Sequence, residues 1–198
     1  MGKMTLKEVR TFGHHPKPDD EKLRELILFV SMRSEGDAPF GAVKLNKILF
    51  YADFIAYSRY GKSITGQEYQ ALKAGPAPRR LLPVVRQMKK DEDLGIREND
   101  YFGHKQYRSF ALRQADTRRF RDEELRLVEE IIEMWRGKTA TEMSDKSHKF
   151  IGWQLAKIGE TIPYSVALIS NRKPNDEERA YALQHLEAEA QALLVNGS

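Results

Sequence analysis

The hydrophobic positions fall into stripes at helical spacing, separated by short breaks that are polar or contain glycine and proline. Leu23, Leu26, Ile27 and Val30 recur at i, i+3, i+4 and i+7, which gives a helix one core-facing side. Asp19 and Asp20 in front of them suit the positive end of its dipole. Residues 34–41 interrupt the pattern. In KLNKILFYADF, residues 44–54 running on to Tyr60, Leu45, Ile48, Leu49, Ala52 and Ile55 share a face, while Phe50, Tyr51, Phe54 and Tyr57 widen it. This most apolar helix is expected to be buried on more than one side. Gly61 should end it, because glycine accepts a left-handed cap.

Residues 67–73 read as a strand followed by a turn at Gly75-Pro76-Ala77-Pro78. Leu81, Leu82, Val84, Val85 and Met88 predict a short helix in which Pro83 must occupy the first turn or force a kink. Residues 96–98 and 106–112 predict a β-hairpin around a loop over 99–105. DEELRLVEEIIEMW, residues 122–135, has acids in its first turn, an apolar stripe of Leu125, Val128, Ile132 and Trp135, and Gly137 just beyond its end, the clearest helix of the chain. Thr139 and Glu142 form a capping-box pattern for the next helix. Residues 159–169 read as a loop and a short apolar segment. Asn175 and Asp176 open a last helix carrying Ala182, Leu186, Ala190 and Leu193. The expected fold is mainly α with a small antiparallel β-hairpin or sheet (α+β), a compact single helical domain over 19–172. A flexible N-terminal arm over 1–18 precedes it, and a C-terminal helix over 173–198 packs on it or extends it.

Composition narrows the function. A chain of 198 residues, 40% hydrophobic and 31% charged, can bury a core without staples. Without cysteine there is no disulfide, no thiolate nucleophile and no cysteine-ligated zinc. The first 30 residues carry charges throughout and no run of about 18 apolar residues occurs, so no membrane span and a cytoplasmic location are expected. The net charge of +4 hides a polarised chain: residues 41–90 are strongly basic, and 122–145 and 174–198 are acidic. Acidic and basic segments that complement each other inside the fold account for this more simply than a nucleic-acid surface.

Several strings invite a chemical reading. Gly61-Lys62-Ser63 resembles the end of a phosphate loop, but Ala56 stands where the first glycine is needed and a helix precedes it, so a helix cap is expected. The histidines at 14, 15, 104, 148 and 185 have no metal-ligand spacing, so neither metal nor cofactor is expected. Ser147 and His148 are adjacent, and neighbours on a helix point about 100° apart, unlike a nucleophile and its base. Asp53, an acid among aromatics, is expected to be held by Lys47 or Tyr57 rather than to catalyse. Arg79-Arg80, Lys89-Lys90 and Arg118-Arg119-Arg121 interleave with aromatics, which makes nucleic-acid binding a disfavoured alternative.

In their order these segments resemble the Panacea domain, the family that includes the SocA antitoxin, over roughly residues 23–169. The residues that carry the resemblance are Lys44, Leu45, Lys47, Tyr51 and Ala52 in the 44–61 stretch and Gly75 and Pro76 in ALKAGPAPRRL. DEELRLVEEIIEMW follows, then Ser147, His148 and Trp153 in SHKFIGWQ, and Pro163 in ETIPY. Leu72 and Ala74, in place of aromatics before the Gly-Pro pair, depart from the family's pattern, as does Pro83 in the helix after it. The resemblance implies a phage-associated antitoxin of a two-gene toxin–antitoxin system that binds its cognate toxin directly. A second implied mode delivers the toxin to the ClpXP protease. The family brings no catalytic set, so no enzyme is expected. Aromatic and arginine anchors dominate protein interfaces, and those expected to contact the toxin are Tyr57, Tyr60, Tyr69, Lys73, Arg79, Arg80, Tyr101 and Tyr107.

Overall fold

The computed structural model describes residues 17–169. The predicted arm over 1–18, apart from its last two residues, and the predicted helix over 173–198 lie outside the described residues. Helix α1 (Asp20–Arg33) starts where the acids predict, with Asp19 accepting the Lys22 amide at 2.8 Å. Helix α2 (Ala42–Tyr60) ends at Gly61, whose φ of 69 is the left-handed cap and whose amide reaches the Tyr57 carbonyl at 2.9 Å. The Gly-Lys-Ser string is therefore a helix stop. Strands β1 (Tyr69–Leu72) and β2 (Gly75–Pro78) follow, then α3 (Leu81–Lys90), with Pro83 in its first turn, then β3 (Leu94–Tyr101) and β4 (His104–Ala111). Helices α4 (Asp122–Trp135), α5 (Ala140–His148) and α6 (Ile151–Leu155), strand β5 (Thr161–Ile162) and a 3-10 turn at Tyr164–Leu168 complete the described chain. The fold is mixed α+β and mainly helical.

Two expectations are corrected. Gly75 to Pro78 is a strand, and the turn falls before it, at Lys73 and Ala74. The antiparallel sheet runs β2-β1-β5, so β2 is an edge strand, the one place where two prolines lacking N–H groups leave the ladder intact. The second hairpin has a two-residue turn at Phe102-Gly103 where a seven-residue loop was expected, because both residues take positive φ, 51 and 77.

α2 is the axis of the molecule, and its all-round hydrophobicity is explained by a core on each side. One core joins Leu45, Ile48, Leu49 and Ala52 to α1 and α4. The other joins Phe50 and Phe54 to Tyr69 and Ala71 of β1, Ile162 of β5, and Tyr164. The acidic α4 is partly paired across the body: Arg59 at the end of α2 reaches Glu130 at 2.8 Å, and from α1 Arg33 reaches Glu129 at 2.9 Å and Lys22 reaches Glu124 at 2.9 Å. Among the described residues no helix is long and apolar enough to cross a membrane.

Candidate functional site

The family-motif residues converge on the first half of α2 and build the scaffold. Leu45 and Ala52 face the core. Lys44 is buried, pairs with Asp37 at 2.5 Å and donates to the Lys138 carbonyl at 2.8 Å. The other Asp37 oxygen accepts the Gly137 amide at 2.9 Å. One ion pair thus ties the α1–α2 connection to the α4–α5 connection. One helical turn on, Lys47 runs under the β1–β2 hairpin. Gly75 has φ +99, and a Cβ there would lie 2.2 Å from the Lys47 amine and 2.5 Å from the Ser147 hydroxyl, so the missing side chain makes room for both. Lys47 is fully buried and its amine finds no hydrogen-bond partner, and burial lowers its pKa from 10.5 to about 8.

The rest of the motif frames that point. The Pro76 carbonyl accepts from Asn46 at 3.1 Å. Tyr51 stacks on Trp135 with centroids 5.4 Å apart, and burial raises the pKa of its phenol. Ser147 donates to the Ser144 carbonyl at 2.8 Å, and the His148 ring stacks on Trp153 at 4.1 Å, so the two adjacent side chains do not face each other. Trp153 donates to the Leu72 carbonyl at 2.9 Å, and the buried Pro163 leads into the 3-10 turn.

Asp53 is wholly buried, but neither Lys47 nor Tyr57 holds it. Its carboxylate accepts the Thr65 amide at 2.7 Å and the Thr65 hydroxyl at 2.5 Å, and the Tyr69 hydroxyl lies 2.9 Å away. Burial raises its pKa and the bonds from Thr65 and Tyr69 oppose the rise. This is a fully partnered clamp on the segment after α2. Among the described residues no three His, Cys, Asp or Glu side chains are grouped to hold a metal ion.

The eight expected contact residues do not form one patch. Tyr69 leaves the set: it lies on the central strand of its sheet, is 0% exposed, and its hydroxyl sits against Asp53 and the Leu49 carbonyl. Tyr57 is half-buried and stacks on Tyr164 at 5.5 Å, and Tyr60 lies beneath the Arg121 guanidinium. Lys73 is exposed on the β1–β2 turn. Arg79 donates to Gln70, Thr161 and the Gly159 carbonyl, and Arg80 grips Asp20 at 2.7 Å. Tyr101 and Tyr107 stand near the opposite end of α2, which at 19 residues is roughly 28 Å long.

Those last two tyrosines line a cleft of about 430 Å³. It opens between the start of α2 (Ala42, Val43), the tip of the β3–β4 hairpin and the start of α5 (Thr139 to Thr141). Phe102, 86% exposed, is its most prominent apolar wall, and Tyr107 and Val43 are exposed beside it. Sequence reasoning placed the tyrosines among the contact residues, named Phe102 only beside them as an aromatic suited to nucleic acid, and missed Val43 and the α5 threonines. The Phe-Gly pair at the centre of the expected 99–105 loop was the available signal, since a ring-bearing residue beside the glycine of a tight turn is unusual.

A family model described as "Antitoxin SocA-like, Panacea domain" matches residues 45–154, more than half of the chain, and takes in the motif residues from Leu45 to Trp153, with Lys44 and Pro163 outside it. No curated protein and no solved structure matches the chain. With the α2 helix, the glycine-centred hairpin and the Ser-His…Trp segment packed as one junction inside the matched span, the chain belongs to the SocA-like antitoxin family, as a Panacea-domain protein.

Proposed function

We propose that this protein neutralises a cognate toxin by binding it directly and covering its working surface, without catalysing a reaction. Membership of an antitoxin family over residues 45–154 carries the reading. The structure adds support: the groups that invited catalytic readings have structural roles, Asp53 in its clamp, Ser147 on the Ser144 carbonyl and His148 on Trp153. A rigid two-core body with an aromatic cleft at one end suits binding through a few anchors. The protein acts in the cytoplasm, where its toxin is made.

The test is co-expression with the product of the adjacent gene. That product alone should arrest growth, and this chain should restore it and co-purify with it in stoichiometric amounts. A harmless neighbour, or rescue without a complex, refutes the reading. Delivery to ClpXP is the second mode; it predicts that the toxin's half-life falls on co-expression and recovers in a host lacking that protease. Operator binding is the second reading: Lys44, Arg59, Arg79 and Arg80 of the basic segment face carboxylates and Lys47 is buried, which leaves Lys62, Lys73, Arg86, Lys89 and Lys90 exposed to carry it.

A further inference from the structure

We propose that the cleft between the hairpin tip and the starts of α2 and α5 is the docking site for a toxin segment that presents a bulky apolar side chain next to a carboxylate. The proposal rests on the antitoxin reading and adds where the partner is held and by what chemistry.

The first argument is Phe102. A two-residue turn with both central φ positive is the natural place for Asn-Gly, and a side chain branching into a ring is strained there. Phe102 nevertheless occupies it at φ 51, 86% exposed, with the Tyr101 ring set edge-to-face against it at 4.8 Å. Strain and exposure in one residue, with no gain to the fold, point to a contact made outside the chain. The second argument is preorganisation. Gln106 donates to the Ala38 carbonyl at 3.1 Å, and Arg108 to the Asp37 and Ser34 carbonyls at 3.0 and 3.1 Å, so the hairpin is fixed to the α1–α2 connection. Gly41 permits the approach, since a Cβ there would lie 2.9 Å from Gln106 Cγ. A wall already fixed loses little freedom when a partner docks.

The third argument is charge. No acidic residue lines the cleft. α2 begins at Gly41 with no side-chain cap and no acid in its first turn, so its free amides leave positive potential at the cleft floor. α5, by contrast, is closed by the reciprocal Thr139–Glu142 box. His104 and Lys105 stand on the rim, the latter also reaching Glu98 at 2.8 Å. The Lys44 ammonium is turned inward to Asp37 and contributes no free charge. An apolar wall beside an acid-free, amide-rich floor complements an apolar side chain flanked by a carboxylate.

The probe is a blocked tetrapeptide of serine, phenylalanine, aspartate and serine, titrated into the full isotope-labelled chain by NMR. Control peptides replace the phenylalanine by serine or the aspartate by asparagine. Shifts should concentrate on amides of residues 42–44 and 101–107, and each control should bind at least about tenfold more weakly, the loss of one anchor. Two variants keep the fold and remove the site. Phe102→Asn installs the residue the turn prefers, and Val43→Asp places an acid where the helix dipole favours it. Both should weaken the peptide at least about tenfold. No shifts at millimolar peptide, or equal binding by both variants, overturn the proposal. So does a wild-type dimer that Phe102→Asn converts to monomer, because a second copy then fills the cleft. Growth rescue separates the two readings. Wild type and both variants rescuing alike sinks the cleft and leaves the antitoxin; peptide binding without rescue by wild type supports the cleft and removes that toxin as its partner.

Discussion

Replacing Lys47 by methionine should stabilise the protein at neutral pH and abolish a distinctive rise of stability with pH. The Lys47 amine is 0% exposed, lacks a hydrogen-bond partner and titrates at about 8 against an ordinary 10.5. At about 1.4 kcal/mol per pKa unit, the folded state bears a cost of roughly 3 kcal/mol for carrying that charge at pH 7. Below pH 8 the amine is protonated both folded and unfolded, so the whole cost is present. Between 8 and 10.5 the folded state releases the proton that the unfolded state keeps, and stability rises by at most about 1.4 kcal/mol per pH unit. Methionine has a similar length and no charge, so Lys47→Met should gain up to about 3 kcal/mol at pH 7, with the difference shrinking towards pH 9.5. Urea unfolding of both chains at pH 7, 8, 9 and 9.5 reads this directly. Stopping at 9.5 keeps clear of Tyr51, Tyr69 and Tyr164, whose phenols burial holds neutral past their usual range, so that stability falls again once the unfolded tyrosines ionise. A difference independent of pH, or a methionine variant less stable than wild type at pH 7, refutes the reasoning.

Gly75→Ala should lower stability by about 2 kcal/mol or more, measured by thermal unfolding, since φ +99 strains any side chain and the new carbon meets the Lys47 and Ser147 heads. Asp37→Ala should cost about 3–5 kcal/mol in urea unfolding by leaving the buried Lys44 charge unpaired, and the double replacement Asp37→Leu with Lys44→Met should recover most of the loss. Phe102→Asn should raise the unfolding midpoint, the gain corresponding to about 1 kcal/mol of relieved left-handed strain; an unchanged or lower midpoint removes the strain argument for the cleft.

The helices were legible wherever an apolar stripe met a solvent face. α1 and α4 carry such stripes with acids at their starts, and Gly61, Thr139 and Glu142 mark helix ends through local hydrogen bonding that needs no tertiary context. What sequence reading lost was decided at long range. Gly75 to Pro78 reads as a turn because proline resists sheets, and only its edge position beside β1 makes it a strand. Asp53 was given partners on its own helix, whereas the path of the following loop brings Thr65 and Tyr69 onto it. Tyr69 reads as a surface anchor because aromatics dominate protein interfaces, yet here its strand lies between two others and against the second core.

The scaffold and the candidate contact surface separate along α2. Lys44, Tyr51, Gly75, Ser147 and Trp153 are committed to holding helices and hairpin together, so changing any of them perturbs the body before it perturbs a partner. Phe102 and Val43 carry the opposite signature: exposed, without a role in either core, and replaceable by residues that suit their backbone better. Selection for stability alone would put asparagine at 102 and an acid at 43. The residues actually there leave apolar surface exposed and place a ring-bearing residue at positive φ, the combination that the proposed docking would account for. If the proposed docking holds, substitutions at the hairpin tip should alter partner binding without disturbing the junction that makes the domain fold.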